Sequence, residues 1–426
     1  MENNIYKKRR ESLKKYLPEN CALILPGADL QYRNSDSSYA LRQESSFYYL
    51  SGFCEPSSLM IIINNGKEVN SIAFVPPKDK LKEIWDGYRA GPLGAIDDYL
   101  FDQAFENNKI DELMPELLNG VKKVFYPIGK KSGFDQKVID WTCAANSKDR
   151  HSQSIDIMDG SSMVGNMRLI KDDHEIEIMK RACEISAEAY IEVMKSIKPG
   201  DNEQLIENQF LYEFGKKGGR FPAYTPIVAG GENACVLHYI ENNKELEGSD
   251  LILVDAGCEY EHYASDVTRT FPVNGKFTEE QKSIYEVVLE AHRQSMAEVK
   301  PGNQWNSPHD KSVEVITDGL NDLGLLKGNN DYTKFYMHRV GHWIGMDVHD
   351  VGDYTVDGKW RDLEPGMVMT IEPGIYILDS LEGVDDKWKG IGIRVEDDVL
   401  VTEDGFEILT PDAPREVADI EHLMNS

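Results

Sequence analysis

Two long amphipathic stretches, each halted by the same Lys-Pro-Gly triplet, constrain the fold of this chain more than any other feature. The first follows Asp172, which can cap a helix with Glu175 three residues on as its capping-box partner. Ile176, Met179, Cys183, Tyr190, Met194 and Ile197 then recur near one face until Lys198-Pro199-Gly200 stops it. The second runs from about Thr278 to Val299 and stops at Lys300-Pro301-Gly302. After each stop come a polar residue (Asp201 or Asn303), another helical stretch, and strand-rich sequence. The period, roughly 100 residues, is far too long for a solenoid. A duplicated half-domain and a coincidence both stay open, because Pro-Gly is common punctuation after a helix.

The amino-terminal part reads differently. Cys21–Leu25, Leu59–Ile63 and Ser71–Val75 are short apolar runs bounded by Gly, Asn and Pro, which predicts buried strands. Helices are predicted near Asp111–Leu118 and Asp135–Ala145, and turn-like residues around Ser161–Lys171 end this half. With 426 residues the chain can build two cores, and the expected division is 1–165 and 166–426 in an α+β architecture.

The balance of 46 Lys and Arg against 74 Asp and Glu, a net charge of −28, repels phosphate backbones and argues against nucleic-acid binding. No apolar run approaches the roughly 20 residues of a membrane helix. The charged start, Met1 to Lys15, carries no apolar signal core, so a protein that is not exported is expected. Six cysteines are scattered without a CxxC pair, which predicts buried, reduced thiols and a cytoplasmic setting.

Against this background, four carboxylates and a cluster of three histidines stand out. Asp255 closes the apolar run Leu251–Val254, and Asp266 follows eleven residues later, a spacing that suits a hairpin with facing carboxylates. Two bare carboxylates at close range repel unless a cation or a shared proton lies between them. Alone, Asp255 also reads as a strand-end turn residue. His338, His342 and His349 fall within twelve residues, beside glycines that permit close backbone approach. Glu372 ends another apolar run before Pro373-Gly374, and Glu396 lies inside a third; either alone could be an edge residue or a partner of Arg394. Taken together, four carboxylates and one imidazole at or near strands could hold two divalent cations bridged by water or hydroxide. Oxygen-rich ligation favours hard ions such as Mn2+, and such sites perform hydrolysis.

These motifs resemble the pita-bread metallopeptidases, and among them the aminopeptidase P (Xaa-Pro aminopeptidase) family, over nearly the whole chain. Arg33–Asp36 and Arg42–Phe53 are similar to that family's non-catalytic amino-terminal domain. Ile84–Arg89 is similar to a loop that in bacterial relatives reaches a neighbouring subunit, which makes Trp85 a candidate substrate contact across a homodimer or homotetramer. The resemblance implies a catalytic domain of two αββ halves related by a pseudo-twofold. It further implies Asp255, Asp266, His342, Glu372 and Glu396 as ligands of two ions, with Asp266 and Glu396 bridging. Mn2+ is the first choice, with Zn2+, Co2+ and Fe2+ as the others. His238 and His349 then act on the scissile carbonyl and its tetrahedral intermediate, His338 lines the site, and Tyr376 and Arg394 surround the pocket for proline. Arg339 stands where many relatives carry glycine, which bears on pocket polarity rather than on the metal site. All five ligand positions are intact, unlike those of non-catalytic relatives.

The expected reaction is removal of an amino-terminal residue that precedes proline, with a metal-bridged hydroxide as nucleophile and Glu372 shuttling the proton. Proline has no N–H and a fixed φ, so general peptidases handle it poorly. A prolidase, acting only on Xaa-Pro dipeptides, is the nearest rival. Trp343 and the Arg33–Asp36 motif favour aminopeptidase P. A methionine aminopeptidase would not need the long preceding domain.

Overall fold

The computed structural model describes residues 3–148, 154–326 and 331–426. The chain forms two compact units, Met1–Met167 and Arg168–Ser426. Among the described residues no helix is long and apolar enough to cross a membrane.

The first unit is organised by a mixed six-stranded sheet. Its strands are β1 (Cys21–Pro26), β2 (Leu59–Asn64), β3 (Val69–Val75), β4 (Gln103–Glu106), β5 (Lys123–Tyr126) and β6 (Asp156–Asp159), in the order β4-β3-β2-β1-β5-β6. The three apolar runs that predict strands occupy β1, β2 and β3. Four helices of this part matter below: α1 (Lys80–Asp86), α2 (Ile110–Leu117), α3 (Ser132–Asn146) and α4 (Ser161–Leu169). Met114, Val138 and Trp141 from the α2 and α3 region pack on Ile24, Ile61 and Phe74 of the sheet. Each such fully buried apolar side chain contributes about 1.5–3 kcal/mol. Helix α4 replaces the turn expected at 161–171: Val164, Met167 and Leu169 are buried there, and that burial outweighs the Ser, Gly and Asn content.

In the second unit, the first long stretch is α5 (Asp173–Ser196), with the Asp172–Glu175 capping box in place. The buried face is wider than the apolar spacing alone indicates, because Ala182, Ile185, Ser186, Ala189 and Val193 join it while Ile176 stays half-buried. After it come α6 (Glu203–Lys216), β7 (Ile227–Gly230), β8 (Leu251–Asp255), β9 (Cys258–Tyr260), β10 (Tyr263–Ala264) and β11 (Thr268–Pro272). The second long stretch is α7 (Glu279–Ala297), again with a capping box, Thr278 with Gln281. It leads to α8 (Ser307–Asp322), β12 (Val368–Ile371), β13 (Gly374–Ile377), β14 (Ile391–Arg394) and β15 (Asp397–Val401).

The duplication left open by sequence is visible in the hydrogen bonds at the two stops. Gly200 N–H donates to Leu246 O and Leu246 N–H to Asp201 O; Gly302 N–H donates to Leu363 O and Leu363 N–H to Asn303 O. Both glycines sit at positive φ, 89° and 84°, which is why each stop needs glycine. The strands then pair antiparallel, β7-β8-β11 in one half and β12-β15 and β13-β14 in the other. Coincidence does not reproduce a set of matched bonds.

Cys21, Cys183, Cys235 and Cys258 are buried, whereas Cys54 and Cys143 are exposed, against the expectation for those two.

Candidate active site

Asp255 ends β8 and Asp266 lies between β10 and β11. The hairpin linking them is continuous: Asp255 pairs with Thr268, and Ala256 N–H donates to Val267 O. Gly257 makes this possible, because a Cβ there would overlap the carbonyl of Ser265. Beneath the hairpin, the hydroxyl of Tyr190 on α5 lies 3.0 Å from Val254 O and 2.6 Å from Val267 O, which fixes the height of both carboxylates.

His342 lies outside regular strands, but its N–H donates to Thr370 Oγ1 at 3.0 Å, and Thr370 N–H donates to His342 O. Gly341 is required here, since a Cβ would strike the carbonyl of Thr370. The Nδ1 of His342 lies 3.0 Å from Trp343 O. A carbonyl only accepts, so Nδ1 carries a proton and Nε2 is the nitrogen that faces Asp266 Oδ2 at 3.4 Å and Glu372 Oε1 at 3.6 Å. Glu372 follows β12 and its N–H donates to Val340 O; Glu396 joins β14 to β15 and bridges to Thr268.

These residues meet in one cavity of about 400 Å³. Of the eleven side chains singled out in the sequence, nine line it: His238, Asp255, Asp266, His338, His342, His349, Glu372, Arg394 and Glu396. Tyr376 reaches it through its hydroxyl, which accepts from Arg394 Nη1 at 3.0 Å and donates to His338 Nε2 at 2.9 Å. Trp85 belongs to the first unit, on α1, where it is 87% exposed.

Arg394, His338 and Trp343 have partners that the sequence does not specify. Arg394 does not pair with either glutamate; its Nη2 donates to Asp255 Oδ2 at 2.6 Å and its Nε to Thr268 Oγ1 at 3.1 Å. Both ring nitrogens of His338 are engaged inside the protein, the second 2.7 Å from Arg339 O. Trp343 is fully buried, packed with Trp305 and Tyr354, and does not line the cavity, so it carries no information about substrate length.

The charge balance is lopsided. Burial pushes Glu372 up to about 7, against the pull of His342 and Arg394. Burial, reinforced by Asp266, Glu372 and Asp255, drives Glu396 well above the usual carboxylate range. Asp255 is also raised by burial, which Arg394 only partly offsets. Burial works against the charged form of His342, but Asp266 and Glu372 lift it to about 9. Burial pushes His338 down to about 3 and lowers His349, with His342 adding to the latter. Protons thus concentrate where four carboxylates converge, as they do where a cation belongs.

The donor set fits that cation. Asp266, His342 and Glu396 each present one ligand atom, all within 4.8 Å of one another. With Nδ1 committed to Trp343 O, Nε2 is the nitrogen aimed inward, and carboxylate oxygens dominate, which suits a divalent ion that displaces the Nε2 proton.

Sequence reasoning missed Tyr224. Its hydroxyl lies 2.6 Å from both Asp255 Oδ1 and Asp266 Oδ1, clamping the pair. A tyrosine in Phe221-Pro222-Ala223-Tyr224 carries no local signal of this. Asp398 was missed as well; its Oδ2 accepts from the Asp266 N–H at 2.9 Å.

Comparison with known proteins agrees with this chemistry. Residues 177–403 match the model of metallopeptidase family M24, and residues 6–126 match that of the aminopeptidase P amino-terminal domain. A Xaa-Pro aminopeptidase of Haemophilus influenzae is 41% identical over 99% of this chain and 97% of its own length. The structure of Pseudomonas aeruginosa aminopeptidase PepP superposes with a TM-score of 0.96 at 46% identity, covering 99% of this chain and 98% of that one. Zinc-substituted Escherichia coli aminopeptidase P in complex with product gives 0.95 at 38% identity, with the same coverage. Carboxylates gathered from two duplicated halves of the second unit, in a chain whose two parts match these two family models, have one reading: this chain belongs to metallopeptidase family M24 and uses divalent metal.

Proposed function

We propose that the protein is a dinuclear-metal aminopeptidase that hydrolyses the amino-terminal Xaa-Pro bond of peptides. Asp255, Asp266, His342, Glu372 and Glu396 would hold the ions, with Mn2+ as the preferred metal. The observation that carries the reading is the convergence of four carboxylates and one inward-facing imidazole in a single cavity of the second unit. Its full-length similarity to proteins named Xaa-Pro aminopeptidase favours this activity over that of a prolidase.

Bound divalent ions supply Lewis-acid activation of water and of the scissile carbonyl. The protein's own residues do the rest. Glu372 would accept the proton of the attacking water and deliver it to the proline nitrogen. His238 and His349 donate hydrogen bonds to the oxygen that gains charge. Burial lowers His349, whose ring lies 4.4 Å from that of His342, which favours the uncharged donor. His338, Tyr376 and Arg394 form a bonded wall that takes the proline ring. Residues 1–165 form the non-catalytic domain and 166–426 the catalytic one, in a cytoplasmic homodimer or homotetramer with Trp85 reaching a neighbouring copy.

The test is turnover of Ala-Pro-Gly beside Ala-Pro, with metal analysis of the purified protein and added Mn2+. Cleavage of the tripeptide at the first bond with two metals per chain is expected. Turnover of the dipeptide alone would replace this reading with prolidase. A fully active monomer, by light scattering, would remove the role given to Trp85.

A further inference from the structure

The cavity holds two guanidinium groups, and they are not alike. Arg394 is buried and matched by Asp255 at 2.6 Å. Arg339 is exposed, lines the same cavity, and has no carboxylate against it among the described residues. Its guanidinium is held nonetheless. Nη2 donates to Asn306 Oδ1, and the guanidinium carbon lies 5.1 Å from the centre of the Trp360 ring. Asp310, one contact further on, accepts from the Asn306 amide at 2.6 Å and so steadies the holder rather than neutralising the cation. In a chain with 74 acidic residues, a positioned and unmatched cation at a cavity wall is a feature to explain.

Resting on the aminopeptidase reading above, we propose that Arg339 is a specificity residue that selects peptides bearing a carboxylate just beyond the proline. Electrostatics sets the direction. The substrate's amino terminus is a cation, and Arg339 repels it. The chain beyond the scissile bond therefore runs toward Arg339. A guanidinium there binds a carboxylate in a planar fork. The carboxylate has two sources, the carboxy terminus of a tripeptide or an acidic third side chain.

The test compares kcat/KM of Ala-Pro-Gly, Ala-Pro-Gly-NH2, Ala-Pro-Glu-NH2 and Ala-Pro-Gln-NH2. Ala-Pro-Gly against its amide reads the terminal carboxylate, and Glu against Gln reads the side chain. The charged member of at least one pair is expected to lead by about three- to fivefold, the range of one partly exposed charge pair, and the lead shrinks with added salt. Arg339→Gln brings that ratio to about one, Arg339→Glu inverts it, and Arg339→Lys keeps part of it. Equal rates within both pairs, or a ratio that survives in Arg339→Gln, would overturn the proposal. Failure to cleave any of the four with metal present would instead sink the aminopeptidase reading. Calorimetric binding of Pro-Gly against Pro-Gly-NH2 and of Pro-Glu-NH2 against Pro-Gln-NH2 still reports on Arg339 in that case, and equal affinities within both pairs count against it.

Discussion

Glu396 and Asp397 are neighbours in the chain, both fully buried, and their surroundings drive them in opposite directions. Asp397 sits in a completed ionic network: Arg269 Nη2 at 2.7 Å, Arg415 Nη1 at 3.0 Å, Thr410 Oγ1 at 2.6 Å and His292 Nε2 at 3.2 Å. Burial opposes its charge, yet Arg269, His292 and Arg415 hold it well below the usual carboxylate range. Glu396 has Thr268 at 2.5 Å and otherwise faces Asp266, Glu372 and Asp255, which join burial in pushing it up. One network is closed by the chain's own cations; the other has a surplus of negative charge. Buried charge without compensation is tolerated where something else binds. Side-chain direction on either side of a peptide bond separates a strut from a site.

Substitution at each pole gives the sharpest contrast. Asp266→Asn is expected to reduce Xaa-Pro hydrolysis by more than the roughly 100-fold that loss of a supporting outer partner costs. The metal-free melting temperature should stay close to that of the parent, because repulsion falls with the charge. Near-normal turnover would remove Asp266 from the ligand set.

Asp397→Asn should do the reverse. It leaves Arg269 buried without its carboxylate, so urea denaturation should show a loss of about 3–5 kcal/mol, while the folded fraction keeps its metal content. A variant of normal stability that cannot bind metal would collapse the distinction between the two networks.

Metal removal tests the same asymmetry through pH. Glu372 in the metal-free fold is raised to about 7, above its unfolded value, so the fold holds this proton more tightly. The stability it contributes is fully present below the unfolded value, near 4.5, and is lost as pH rises through about 7. The chelated protein should therefore melt roughly 3–6 °C higher at mildly acidic than at slightly alkaline pH. With metal restored at 100 times its dissociation constant, about 2.7 kcal/mol is recovered at neutral pH. A flat melting profile for the chelated protein would contradict the surplus of charge. The smallest effect belongs to Tyr224→Phe, which unclamps Asp255 and Asp266. Metal affinity should weaken about tenfold by competition with a chelator, with the fold intact.

Legibility in the sequence follows the range of the interaction. Helix α5, with its Asp172–Glu175 capping box and Lys-Pro-Gly stop, could be read because caps, periodicity and stops act within a few residues. Helix α4 could not, because the buried positions of Val164, Met167 and Leu169 overrode local turn character. In the site, the carboxylates and histidines were conspicuous as charge inside apolar runs. Tyr224 and Asp398 were not, since each matters only through partners brought to it by folding, Asp255 and Asp266 for Tyr224 and the Asp266 N–H for Asp398.

By itself, the order of residues determined the long capped helices, the apolar strands, the two matching stops, and the chemical types available for a site. Those depend on short-range backbone preferences and on hydrophobic spacing. Only the tertiary structure decided that Arg394 serves Asp255 rather than a glutamate, that Trp343 belongs to the core, and that Asp397 is neutralised while Glu396 is not. A charge acquires its role from what surrounds it in three dimensions, and that surrounding comes from strands and helices more than a hundred residues apart.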